Sequence, residues 1–82
     1  MIEQLEQQFE QIKDKFSNGD LIAIFAKFDI EKMLDKIENA LDLLKDLEKE
    51  DPMKQRYIAL KKQVVEFDEF LAGFLVQDNV SV

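Results

Sequence analysis

From Ile2 to Phe16 the apolar positions are Ile2, Leu5, Phe9, Ile12 and Phe16, at spacings of 3, 4, 3 and 4 with only polar residues between them. Such a narrow stripe predicts an amphipathic helix with a coiled-coil-like seam. Ser17-Asn18-Gly19 closes it, because Gly or Asn takes the left-handed conformation of a helix C-terminus. Asp20 is then placed to cap the next helix.

The stretch that follows is crowded with apolar side chains. Leu21, Ile22, Ile24, Phe25 and Phe28 go most of the way round a helix, which predicts a short second helix over 21–28, buried on several sides. Asp29 either caps a third helix or interrupts one long kinked helix, and a break is expected. The third helix, about 30–50, carries a wide stripe of Ile30, Met33, Leu34, Ile37, Ala40, Leu41, Leu44 and Leu47. Asp51-Pro52 stops it, since proline disfavours helical geometry in the residue before it yet suits the first turn of a new helix.

The fourth helix, 52 to about 76, repeats a regular stripe of Met53, Tyr57, Leu60, Val64, Phe67, Leu71 and Phe74. Ile58, Val65, Phe70, Ala72 and Leu75 widen it, and Tyr57 is expected in the core. Residues 77–82 read as a flexible tail after a single helical domain over 1–76. A short link between two long helices favours an antiparallel hairpin, with a continuous bent helix through Pro52 as its competitor. The expected fold is therefore all-α: a three- to four-helix bundle built on a long antiparallel αα-hairpin turning at Asp51-Pro52. An N-terminal amphipathic helix and a short buried helix complete it.

Of the seven phenylalanines, none falls between Phe28 and Phe67. A chain doubling back at Pro52 gathers aromatics at the open end of the hairpin, where Phe67, Phe70, Leu71, Phe74 and Leu75 are expected to cover the 21–28 segment. Two candidate binding surfaces follow. One is the helix seam of Ile2, Leu5, Phe9, Ile12 and Phe16. The other is the aromatic end of Phe25, Phe28, Phe70 and Phe74.

Charge adds a third. The chain carries −7 overall, which opposes binding to nucleic acid or anionic lipid. Residues 29–51 hold nine acids against four lysines, a local balance of −5. Glu31, Asp35, Glu38 and Asp42 line one side at 4-3-4 spacing, where like charges repel by a few tenths of a kcal/mol per pair (~0.2–0.5). Residues 52–63 hold Lys54, Arg56, Lys61 and Lys62 and no acid. An antiparallel hairpin would set Asp46 near Arg56 and Asp42 near Lys61.

The chemistry of catalysis is thinly represented. There is no His, Cys, Thr or Trp, and the only serines are Ser17 and Ser81. Neither a Ser-His nor a Cys-His nucleophile can be assembled, and zinc sites with nitrogen or sulfur ligands are excluded. No calcium loop or phosphate-cradling glycine loop occurs. The function expected is non-enzymatic protein–protein interaction through apolar helix faces, as a small adaptor, assembly chaperone or regulatory subunit. Homodimerisation is one form of it; no cofactor, metal, membrane, nucleic acid or small-molecule substrate is expected. The alternative is an acidic mimic, occupying a basic nucleic-acid-binding surface through Glu31, Asp35, Glu38 and Asp42. With no Cys, no signal-peptide pattern at its start and a longest apolar run of six residues, the chain reads as a soluble cytoplasmic protein.

Overall fold

The computed structural model describes residues 2–80, with side chains described through Leu75. The described chain is all-helical: α1 is Ile2–Ser17, α2 is Ala23–Leu43 and α3 is Pro52–Val80. Three helices form where as many as four were expected.

α1 ends as its sequence predicts, and the hydrogen bonds show how. Gly19 takes φ +80°. Its N–H donates to the Phe16 carbonyl at 3.2 Å, and the Asp20 N–H reaches back to the Lys15 carbonyl at 2.8 Å. This is the Schellman closure, which satisfies carbonyls left over at a helix end. It also corrects the role expected of Asp20. That residue belongs to the end of α1 and lies too early to cap α2. The N-cap of α2 is Ile22, extended at φ −76° and ψ 156° and without a side-chain cap.

The 21–28 and 30–50 segments are one helix. α2 runs unbroken through Asp29, because its buried residues hold one register on both sides of that acid: Ala23, Ala26, Ile30, Met33 and Ile37. Their spacings are 3, 4, 3 and 4, so a break at Asp29 would take half of this stripe out of phase with the core. α2 also stops at Leu43 rather than Glu50. The Leu44 N–H bonds to the Ala40 and Leu41 carbonyls, both at 3.1 Å, and the Lys45 N–H to Asp42 at 3.3 Å. Bonding has shifted towards the tighter three-residue pattern of a fraying turn. Beyond Ile37 the stripe is only half-buried at Ala40, Leu41 and Leu44 and exposed at Leu47, so it loses the full burial that would prolong the helix.

Asp51 starts α3 as expected. Its Oδ1 accepts from the Met53 N–H at 3.0 Å and the Lys54 N–H at 3.1 Å. Pro52 occupies the first helical position, where its missing N–H costs nothing. Two side chains of this turn tie the preceding loop down: Lys54 Nζ donates to the Leu47 carbonyl at 3.2 Å, and Gln55 Nε2 to that of Lys49. α3 then continues to Val80, past the expected end near Val76, so residues 77–80 are helical. Ser81 and Val82 lie outside the described residues.

The direction of each helix follows from the pairs between them. Lys27 meets Asp68 at 2.9 Å and Glu38 meets Lys61 at 3.7 Å, so α2 and α3 run antiparallel. Arg56 meets Glu3 and Glu6 near the start of α1, while Phe16 near its end meets Phe74 with ring centroids 5.8 Å apart, so α1 runs parallel to α3. One core unites the three: Ile2, Leu5 and Phe9 with the α2 stripe and with Tyr57, Leu60, Val64 and Leu71. No polar or charged residue is buried among those described. The whole is elongated, 49 × 22 × 16 Å, with the 29-residue α3 setting its length.

Candidate protein-docking surface

The expected helix seam faces the chain's own core. Ile2, Leu5 and Phe9 are almost fully buried within the chain's own core, and Ile12 and Phe16 pack against it half-buried. The seam is real, but its partner is α2 and α3 of the same molecule.

The aromatic end divides into two unlike parts. Phe16 lies at the centre of one, edge-on to Phe67, Phe70 and Phe74 at 6.0, 6.1 and 5.8 Å between centroids. Phe9 meets Phe67 edge-on at 5.9 Å, and Phe67 stacks on Phe70 at the same separation. This group belongs to α1 and α3. Phe70 and Phe74 remain 55% and 43% exposed at its rim.

Phe25 and Phe28 are elsewhere and join no ring contact among the described residues. They stand 57% and 53% exposed, with Ile22 at 58% and Ile24 at 47%. The expected plug buried on several sides is thus inverted: alanines face inward, and large apolar side chains face out. The geometry of a helix explains why. At 100° per residue, Ile24 and Phe28 lie across the axis from Ala23, Ala26 and Ile30, and only one of these faces can meet α1 and α3. The inward face goes to the small side chains because they continue the register of Ile30, Met33 and Ile37. The alanine side of this segment joins the core that includes Leu71 and has Phe67 and Leu75 packed against it, and its outer side is exposed.

The acidic row continues the same outer face. Ile24, Phe28, Glu31, Asp35, Glu38 and Asp42 follow one another at spacings of 4, 3, 4, 3 and 4. Apolar over its first two turns and acidic over the next three, it runs along the side of α2 opposite the core. Two of its acids have partners at its edge: Glu31 meets Lys27 at 3.2 Å and Glu38 meets Lys61 at 3.7 Å. Asp35 and Asp42 have no side-chain partner among the described residues. Lys32 and Lys36 line the groove against α1 with Gln8, Ile12 and Lys15, and neither forms an ion pair with Asp35 or Asp42 among the described residues.

The expected charge pairs across the hairpin are replaced by others. Arg56 bonds to Glu6 and lies 3.5 Å from Glu3, not beside Asp46, and Lys61 takes Glu38 rather than Asp42. The carboxylate of Glu6, and then Glu3, holds the Arg56 guanidinium above its ordinary pKa. Lys27 is likewise raised, chiefly by its hydrogen bond to Asp68. α1, not α2, supplies the counterions of Arg56. Its Glu3 and Glu6, three apart on the side towards α3, are the signal that would have shown it.

Among the described residues no cluster of His, Cys, Asp or Glu has the arrangement to hold a metal ion, and no helix is long and apolar enough to cross a membrane. No protein-family model, curated protein or solved structure matches the chain.

Proposed function

We propose that the chain is a non-enzymatic protein-binding module that docks its partner on the outer side of the first turns of α2. The observation carrying this reading is the exposure of Ile24, Phe25 and Phe28 opposite a face already filled by the core. Four adjacent large apolar side chains, counting Ile22, form the kind of patch that soluble proteins seldom leave uncovered without a use. Aromatic residues presented on a rigid helix also make strong anchors, because little side-chain entropy is lost when they are covered. The lack of His and Cys supports the non-enzymatic part of the reading by removing the commonest acid–base and nucleophilic groups.

The test is NMR of the Phe25 and Phe28 rings, alone from micromolar to millimolar concentration and then with amphipathic helical peptides. The reading predicts that these two rings shift and broaden, by self-association or by peptide capture, while the buried Ile30 and Ile37 methyls change little. A Phe25→Asp/Phe28→Asp double variant should lose the response and keep its helix content. Rings unmoved under every one of these conditions would overturn it.

A further inference from the structure

The unbroken course of α2 brings together two surfaces that a break at Asp29 would keep apart. Had the helix broken at Asp29, the phase of Ile24 and Phe28 would say nothing about that of Glu31, Asp35, Glu38 and Asp42. Because it does not break, all six lie on one seam. We infer that this seam docks a basic amphipathic helix: apolar side chains against Ile24, Phe25 and Phe28, and Lys or Arg against the acidic turns. This identifies the partner class for the docking reading above and rests on it.

Charge chooses among the possible occupants. Asp35 and Asp42 face outward with no cation of this chain on them, and the chain carries −7 in all. A partner bearing cations at 3-4 spacing relieves the repulsion along the row and forms its pairs in a partly dehydrated interface. A second copy of the chain fits poorly on this face. Aligned in parallel, the two acidic rows meet each other; aligned antiparallel over the full seam, Asp42 and Glu38 of each copy meet the other's Ile24 and Phe28, and Glu31 meets Asp35. Shape favours a helix as the ligand. The seam follows a straight 4-3 repeat from Ile24 to Asp42, about 27 Å of α2 at 1.5 Å per residue, which is the period that lets two helices interlock along their length.

The experiment uses the full chain and a labelled synthetic helical peptide with Leu at 3-4 spacing in one half and Lys at 3-4 spacing in the other. It is made in both sequence orders, because the partner's direction is free. Control peptides replace every seam Lys by Glu, or every seam Leu by Ser. Fluorescence anisotropy should show one order of the Leu/Lys peptide binding about tenfold or more tightly than either control, and weakening as salt is raised. Asp35→Lys/Asp42→Lys should weaken binding by about tenfold or more, and Phe28→Asp by a similar factor. Both changes lie on the outer face, and unaltered thermal melts would show that the fold is kept. If the Glu peptide binds as well as the Lys peptide, the docking surface stands and its basic partner falls. If the Ser peptide binds as well as either, the contact is unspecific attraction and the seam is overturned. If no peptide binds and the molar mass doubles in a Phe28-dependent way, a second copy occupies this face and the inference fails while the docking reading survives. If no peptide binds and the Phe25 and Phe28 rings stay silent at every concentration, both fail together.

Discussion

Ala26 is closed off from solvent, whereas Phe25, its neighbour in the chain, is 57% exposed. A purely hydropathic ordering would reverse them. The relationship holds because α1 and α3 approach this end of α2 on its alanine side, and small side chains let helices come close.

Ala26→Leu should therefore destabilise the fold by ~1–3 kcal/mol, since the added volume must push α1 or α3 away. Phe25→Gln and Phe28→Gln should each change stability by about 0.5 kcal/mol or less, as surface replacements that keep helix propensity. Urea denaturation of the three variants decides it. A Phe25→Gln loss as large as that of Ala26→Leu would mean that the phenylalanine, not the alanine, faces the core.

The two glycines should respond to alanine in opposite directions. Gly19 holds φ +80°, so Gly19→Ala meets the left-handed penalty of ~1–2 kcal/mol and loosens the end of α1. Gly73 lies within α3, and a Cβ added there meets nothing within 4 Å. Gly73→Ala should stabilise by ~0.5–1 kcal/mol, the ordinary gain for a helix interior. Paired thermal melts read both signs, and a loss at position 73 would show that the glycine serves a close approach.

The Lys27–Asp68 pair makes a prediction in pH. Asp68 accepts from Lys27 Nζ at 2.9 Å and, with Glu31, raises the lysine pKa against the opposing effect of partial burial. A folded-state pKa above the unfolded one means that folding favours the protonated lysine. The resulting stabilisation is whole below the unfolded value of about 10.4 and is lost as pH rises through the higher native value. The difference in unfolding free energy between the parent and Lys27→Gln should stay level from about pH 6 to about pH 9, then shrink above about pH 10. Urea melts across that range provide the check. A difference still level at about pH 11 would remove Lys27 as its source.

Much of the architecture could be read from residue spacing. The α1 stripe, the Gly19 closure, the Asp51 cap with Pro52 behind it, and Tyr57, Leu60, Val64 and Leu71 as core positions all follow from local rules that need no neighbour. The proposed docking surface is legible in the sequence only in fragments. Spacing singles out Phe25 and Phe28 but groups them with Phe70 and Phe74, which cluster around Phe16 instead, and it shows the acidic row without its apolar continuation. Ile22 and Ile24 were expected inside.

The line between the two kinds of knowledge runs through α2. Periodicity, caps and turn residues act over a few positions, so the order of residues alone dictated that helices form, where α1 ends and where α3 begins. Which side of α2 is closed, whether Asp29 interrupts it and which acids meet Arg56 depend on where α1 and α3 lie in space. A helix with apolar groups on opposite faces can bury only one of them against a given pair of neighbours, and that choice belongs to packing across the whole chain.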